Sequence, residues 1–318
     1  MTLSDSRPRG RALVTGLAGF TGRYVAEALH AAGYEVWGTV APGSQSAQSG
    51  LGACKTLPAN LLDAEALQRA VREAQPDVVL HLAALAHVSD NDPRNLYLVN
   101  VVGTRNLLAA LDGLDAKPRS VLLASSANIY GNVRIESIDE QVPPNPANDY
   151  AVSKIAMEYA ARLWFDRLPI VIARPFNYTG VGQHESFLLP KLVAHYARRA
   201  PGISLGNLDV SRDFSDVRDV AAAYVRLVEA APAGETFNIC SERAWSLEQV
   251  LTELSRIAGY TIDVQVDPRF VRSNEVKMLK GSRRKLRERI GELPITPLET
   301  TLQWMMDAAR ASGAVRPD

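Results

Sequence analysis

The chain has 318 residues, 47% of them hydrophobic, which is enough to bury a sizeable core. Lysine plus arginine (35) balances aspartate plus glutamate (35), so no net field draws in nucleic acid or an anionic membrane, and an anionic ligand has to be held by local positive groups. The polar start, Met1 to Arg11, lacks the apolar stretch of a signal peptide, and no run is long and apolar enough to span a bilayer. Cys54 and Cys240 are far apart in apolar surroundings and form neither a disulfide framework nor a metal-ligand pattern, which fits a reducing, cytoplasmic compartment and no metal.

In chain order, the apolar run Arg11 to Thr15 predicts a buried strand entering Gly16, and Phe20 to Ala32 has helical periodicity that stops at Gly33. A strand follows over Glu35 to Val40, then a surface loop, Pro42 to Gly52, rich in Gly, Ser and Gln. Asp63 to Ala74 predicts a helix broken by Pro76-Asp77 before the strand Val78 to Leu82. Helices over Leu96 to Leu111 and Tyr150 to Phe165 alternate with strands over Val121 to Ala124 and Ile170 to Ala173. Short apolar strands alternating with amphipathic helices imply a doubly wound parallel sheet covered on both faces.

The pattern loosens after Arg174. Helices are expected over Phe187 to Arg199, Val220 to Ala230, Leu247 to Ile257 and Leu298 to Ala309, with strands over Thr236 to Cys240 and Ile262 to Val266. Two helix starts read as capping boxes, Ser246 with Gln249 and Thr296 with Glu299, the second with Pro297 at the first helical position. The expected organisation is a dinucleotide-binding domain over 1–175, with returns from the second half, and a smaller α/β substrate-binding lobe over 176–318.

The turn between the first strand and first helix reads Thr15-Gly16-Leu17-Ala18-Gly19-Phe20-Thr21-Gly22. Its glycines permit a tight turn and close approach of a pyrophosphate, and the helix N-terminus offers N–H groups and a positive dipole end. The spacing Gly-x-x-Gly-x-x-Gly resembles that of the short-chain dehydrogenase/reductase family, and the Gly-Phe-x-Gly ending resembles its extended branch. The resemblance implies a Rossmann-like fold and binding of NAD(P) at Gly16, Ala18, Gly19, Phe20, Thr21 and Gly22. It extends the cofactor site to Asn60 and Leu61, and to Leu82, Ala83 and Ala84 beneath the cofactor. The second strand ends Gly38-Thr39-Val40-Ala41-Pro42, without the carboxylate that would bind a ribose 2′-hydroxyl or an arginine that would pair with a 2′-phosphate. The missing carboxylate permits NADP(H), with Ser44 and Ser46 as hydrogen-bond donors, and tilts the choice toward it over NAD(H).

Tyr150 and Lys154 are four apart on one predicted helix and share a face. A lysine beside a phenol favours phenolate, so the tyrosine can exchange a proton near neutral pH. Upstream, Ser125-Ser126-Ala127-Asn128-Ile129-Tyr130-Gly131 ends a strand at the edge where doubly wound sheets bind ligands. Matching the family motif selects Ser126 as the active hydroxyl, giving the triad Ser126, Tyr150 and Lys154. The resemblance gives Lys154 a second task, binding the nicotinamide ribose. Family dehydratases carry an Asp-Glu pair directly after that hydroxyl, whereas Ala127 and Asn128 stand here, so water elimination is disfavoured and ketone reduction or 4-epimerisation remains. His81 and His87 flank Leu82-Ala83-Ala84-Leu85-Ala86 and read as polar caps rather than metal ligands.

In the second half, Arg174-Pro175-Phe176-Asn177 resembles a stretch in sugar-nucleotide enzymes where the asparagine touches the diphosphate. Gly206-Asn207-Leu208-Asp209-Val210-Ser211-Arg212-Asp213-Phe214 resembles the branch that handles GDP-sugars. Arg272-Ser273-Asn274-Glu275-Val276 resembles an Arg-Pro-x-Glu-Val segment, in which the arginine meets the diphosphate and the glutamate the ribose. The substrate residues implied are Ser126, Asn128, Asn177, Asn207, Arg212, Arg272 and Glu275. The basic run Arg283-Arg284-Lys285-Leu286-Arg287 lies beside Glu288 and Glu292 without interleaved aromatics, and reads as a solvated helix face. The expectation is an NAD(P)H-dependent reductase of the C4 ketone of a nucleotide-linked 4-keto-6-deoxy sugar, GDP-linked, acting as a homodimer. A 4-epimerase with bound NAD and a non-catalytic cofactor sensor are the alternatives.

Overall fold

The computed structural model describes residues 9–43, 52–86, 92–133, 135–271 and 276–313. The first half runs β1 (Arg11–Thr15), α1 (Phe20–Ala31), β2 (Glu35–Val40), β3 (Lys55–Pro58), α2 (Ala64–Ala74), β4 (Val78–His81), α3 (Arg94–Tyr97), a π-helical turn (Leu98–Gly103), α4 (Thr104–Asp112), β5 (Ser120–Ala124), α5 (Asp149–Arg162) and β6 (Ile170–Pro175). The second half continues β7 (Asn177–Thr179), α6 (Leu188–Ala197), β8 (Gly202–Leu205), β9 (Ser211–Asp216), α7 (Val217–Ala230), β10 (Thr236–Ile239), β11 (Ala244–Ser246), α8 (Leu247–Ala258), β12 (Asp263–Val266), β13 (Met278–Leu279), α9 (Arg284–Ile290) and α10 (Leu298–Gly313).

Two compact units are built from these elements. The first comprises residues 1–129, 148–174 and 221–237, and the second 130–147, 175–220 and 238–318. The main sheet has the order β10-β6-β5-β4-β1-β2-β3, and β1 to β6 pair in parallel. The order reverses at β1, with β2 on one side and β4 on the other, which is the switch point where such sheets take a dinucleotide. Val79 and Leu13 on the strands pack with Leu67, Leu107 and Leu111 from the covering helices, as parallel sheets buried on both faces require.

Three local features depart from the sequence pattern. The edge strand β3 ends in Pro58, a residue tolerated at an edge because it cannot donate to a ladder, and the sequence pattern gave no strand there. The expected helix Leu96 to Leu111 contains the π-helical turn Leu98–Gly103. Gly103 inside it stands where a Cβ would come within 2.9 Å of Leu61.

The third departure lies in the second unit, where β9 pairs with β7, β11 and β13. Its sequence, Ser211-Arg212-Asp213-Phe214-Ser215-Asp216, is too polar to signal a strand. Asp213 is fully buried and accepts from the Ser241 N–H and hydroxyl, both at 2.7 Å, and from the Gly281 N–H at 3.4 Å. The Ser246–Gln249 capping box forms at the start of α8. At Thr296 the expected box is replaced: its N–H and hydroxyl donate to Asp219, at 2.6 and 2.9 Å, so Asp219 does what Glu299 was expected to do.

Candidate active site

The first unit carries the glycine turn. Gly16 has φ +73°, and a Cβ there would meet the Ala83 backbone nitrogen at 2.9 Å, so a side chain is excluded both by conformation and by space. A Cβ on Gly22 would lie 2.3 Å from the Gly16 carbonyl oxygen, so only glycine lets α1 start this close to β1. No side chain caps α1 at Gly19, and its first turn holds no acidic residue. An uncapped helix start behind a tight glycine turn is suited to a phosphate, and these residues fit a dinucleotide pyrophosphate. Ala18, Phe20 and Thr21 line the same turn at intermediate exposure. Of the other cofactor candidates, Asn60 is exposed, and its carboxamide oxygen accepts the Leu62 N–H at 3.0 Å. Leu61 turns inward and joins the core. Leu82 and Ala83 are half-buried and Ala84 is exposed, just beyond β4.

Ser126, Tyr150 and Lys154 also belong to the first unit. Ser126 follows β5, is buried, and its hydroxyl accepts the Asn128 N–H at 3.2 Å. Tyr150 and Lys154 stand one turn apart on α5, whose start is capped by Asn148 accepting the Ala151 N–H. Lys154 is buried, its ammonium donates to the Ala124 carbonyl at 2.8 Å, and it lies 6.0 Å from the centre of the Tyr150 ring. Burial pulls the ammonium down to about 8, against an upward push from Glu158. α5 therefore brings a phenol and a readily titrated ammonium together beside the strand end that carries Ser126.

Behind these groups runs a buried polar chain that sequence reasoning missed. The Thr104 hydroxyl donates to the Asn100 carbonyl at 2.7 Å, so His81 Nε2–H must donate to Thr104, and Nδ1 accepts from Thr15. Burial, with a further push from the Lys154 charge, holds His81 down to about 3, and the imidazole is neutral. The Asn100 carboxamide pairs with both backbone groups of Leu85, at 2.9 and 3.0 Å, and donates to Ser153 at 2.9 Å. Ser153 in turn donates to the Tyr150 carbonyl at 2.7 Å. Only the π-helical turn, which a periodicity count cannot see, marks Asn100. His87 lies outside the described residues, as do Ser44 and Ser46.

The second unit carries Asn177, Asn207 and Arg212. The Asn177 carboxamide donates to the Asp213 carbonyl at 3.4 Å, a long bond, and Asn207 is of intermediate exposure. The Arg212 guanidinium is held by the carbonyls of Ser211 at 3.0 Å and Lys277 at 3.3 Å. Arg272 and Glu275 lie outside the described residues. Among the described residues no cluster of histidine, cysteine, aspartate or glutamate is arranged to hold a metal ion, and no helix is long and apolar enough to cross a membrane.

Comparison with known proteins bears on this geometry. A crystal structure from Burkholderia cenocepacia J2315, of a protein whose epimerase label is provisional, superposes with a TM-score of 0.91 at 69% identity, over 96% of this chain and 100% of that one. The structure of RMD from Pseudomonas aeruginosa complexed with NADPH superposes with a TM-score of 0.82 at 31% identity, over 95% and 99%. The chain is 35% identical to a GDP-6-deoxy-D-talose 4-dehydrogenase of Aggregatibacter actinomycetemcomitans over 71% of its own length and 76% of that protein's. It is 32% identical to the GDP-6-deoxy-D-mannose reductase of Pseudomonas aeruginosa over 92% and 95%. With the family model matched over residues 12–240, on a Rossmann-like sheet that carries the glycine turn, the chain belongs to the NAD dependent epimerase/dehydratase family.

Proposed function

We propose that the chain reduces the C4 ketone of a GDP-linked 4-keto-6-deoxyhexose at the expense of NADPH or NADH, forming GDP-D-rhamnose or its C4 epimer. The observation that carries the reading is the Lys154 ammonium, buried beside the Tyr150 ring and bonded to the strand end before Ser126. The names of the relatives, a GDP-6-deoxy-D-mannose reductase and a GDP-6-deoxy-D-talose 4-dehydrogenase, supply the nucleotide and the carbon.

The reduced nicotinamide supplies the hydride when bound. Gly16 to Gly22 would hold its pyrophosphate, with Leu82 to Ala84 beneath it. The Ser126 hydroxyl donates to the substrate carbonyl oxygen and polarises it. As that oxygen becomes an alkoxide, Tyr150 gives it the phenol proton, and the phenolate left behind is stabilised by the Lys154 ammonium. Arg212 and Arg272 bind the diphosphate with Asn177, Glu275 accepts from the nucleotide ribose, and Asn128 and Asn207 complete the sugar and base contacts. With Ala127 and Asn128 after Ser126, there is no carboxylate to move the protons of a dehydration. The absence of a carboxylate after β2 favours NADPH over NADH, in keeping with the NADPH held by the Pseudomonas aeruginosa relative. We place the enzyme in the cytoplasm, as a homodimer.

A 4-epimerase is the second reading, favoured by the label on the Burkholderia protein. Cofactor stoichiometry separates the two. A reductase oxidises one reduced cofactor per GDP-4-keto-6-deoxymannose, whereas an epimerase interconverts C4 epimers of sugar nucleotides with no net oxidation. Tyr150→Phe lowers turnover by about a hundredfold or more, the scale of a general acid, with cofactor binding intact. A near-normal rate in that variant would remove Tyr150 from the chemistry.

A further inference from the structure

Glu158 is buried in the first unit, one helical turn beyond Lys154 on α5, and the reaction as derived above does not use it. Its carboxylate is fully engaged. Oε1 accepts from the Ser125 hydroxyl at 2.5 Å and from Arg174 Nε at 3.0 Å, and Oε2 accepts from the Arg174 guanidinium at 2.7 Å. Ser125 and Arg174 are themselves buried, at 3% and 4% exposure. Ser125 is the residue before Ser126, and its N–H donates to the Ala173 carbonyl, one residue before Arg174. One carboxylate thus joins the helix that carries Tyr150 and Lys154 to the ends of two neighbouring strands, β5 and β6.

A buried ion pair is weak evidence for stability, because two desolvated charges of this kind are often replaceable by apolar side chains. A reason for the pair has to be sought in what it does for its neighbours. The segment Ala124-Ser125-Ser126 is gripped by α5 at two points one turn apart: Lys154 on the Ala124 carbonyl at 2.8 Å and Glu158 on the Ser125 hydroxyl. A buried ammonium also needs an opposite charge within reach, or it gives up its proton. Among the described residues, the charged and titratable groups that act around Lys154 are Tyr150 and Glu158 on α5 and His81 on β4, with Arg174 of β6 bonded to Glu158. His81 is neutral, and Glu158 is the carboxylate of this set.

We propose that Glu158 is a positioning residue for the reaction: through Ser125 it fixes the strand end that carries Ser126, and as the carboxylate one turn from Lys154 it keeps that lysine charged. The inference rests on the reading of Ser126, Tyr150 and Lys154 given above. The direction of the effect on Lys154 agrees, since burial lowers the ammonium and Glu158 raises it. Arg174 holds the carboxylate in place by a two-bond fork, which leaves it little freedom to turn away.

The test uses the full chain and reads the Tyr150 phenol directly. Its titration is followed in the near ultraviolet as the difference between each protein and the same protein carrying Tyr150→Phe, so the other tyrosines cancel. Glu158→Gln alone leaves Arg174 buried without its anion and can fail to fold, so the variant used is Glu158→Gln with Arg174→Met, which removes both charges. The expected result is a Tyr150 titration moved upward by about one pH unit: of the two charges removed, the carboxylate is the one that acts on Lys154, and without it the ammonium gives up its charge and no longer favours the phenolate. A second variant, Ser125→Ala, keeps the carboxylate near Lys154. It leaves the titration in place and lowers kcat roughly tenfold, because a hydroxyl displaced by a fraction of an ångström loses much of its alignment. An unmoved Tyr150 titration in the folded double variant, or full kcat in Ser125→Ala, overturns the proposal. The titration needs no sugar substrate. Failure of the wild type to oxidise NADPH with the keto-sugar therefore sinks the reductase reading, while the phenol titration still decides the role of Glu158.

Discussion

His81 shows how one side chain makes an acid-sensitive joint. It bonds as a neutral ring between Thr15 at the end of β1 and Thr104 at the start of α4, and a second ring proton would face the Thr15 hydroxyl that it now accepts from. Unfolded, a histidine takes up a proton near pH 6.5. Folded, this one resists until about 3. The depressed folded value means that its contribution is present in full above about pH 6.5 and is lost as the pH falls toward 3, at up to about 1.4 kcal/mol per pH unit. His81→Gln removes this titration. Unfolding free energies of the two proteins from urea titrations at pH 7.5 and 5.5 should therefore converge by about 1 kcal/mol on acidification. A constant gap would mean that His81 accepts its proton inside the fold. In the sequence His81 reads as a polar cap, and in the structure it is the last residue of β4. Its partners are not legible there, since Thr15 and Thr104 lie 66 and 23 residues away.

Helix α5 works on more than one face. Its buried side holds Ser153, Lys154, Met157 and Glu158. Outward, Tyr159 and Leu163 remain 58% and 66% exposed, Val152 is exposed as well, and Leu98 and Val102 are exposed on the π-helical turn. Large apolar side chains left this open over neighbouring helices are suited to an isologous contact with a second copy. Leu163→Glu places a charge in that contact. A dimer by light scattering at micromolar concentration should become a monomer with the sheet intact, whereas a wild-type monomer would remove the interface. The regular elements were legible because their apolar periodicity is local: β1 and β2 are found at the expected residues, and α1 ends one residue early. The π-helical turn, β9 and the Glu158–Arg174 pair were not. Each depends on tertiary partners: Leu85 and Ser153 for Asn100, Ser241 for Asp213, and a neighbouring strand for Glu158. In the sequence, buried Glu158 looks like any polar helical position.

Over the whole molecule, each of the two units is assembled from three separate stretches of chain. The glycine turn and the Tyr150–Lys154 pair belong to one, and β9 with Arg212 belongs to the other. If the first unit serves the nicotinamide cofactor and the second the sugar nucleotide, the two affinities should respond separately to substitution. Arg212 is the better of the two arginines to test, since its guanidinium is braced by the carbonyls of Ser211 and Lys277 and its strand is paired on both sides. Arg212→Ala removes a charge-assisted contact to the diphosphate, which costs on the order of 1.5–3 kcal/mol, or about ten- to a hundredfold in GDP affinity. Arg272→Ala should act in the same direction. NADPH affinity should stay within about twofold in both variants, because no contact to the pyrophosphate at the glycine turn is lost. Calorimetric titration with GDP and with NADPH checks both numbers on one preparation. Unchanged GDP affinity would make Arg212 a brace for β9 and no more. A parallel loss of both ligands would trace the effect to the fold and leave Arg212 without a separate role on the diphosphate.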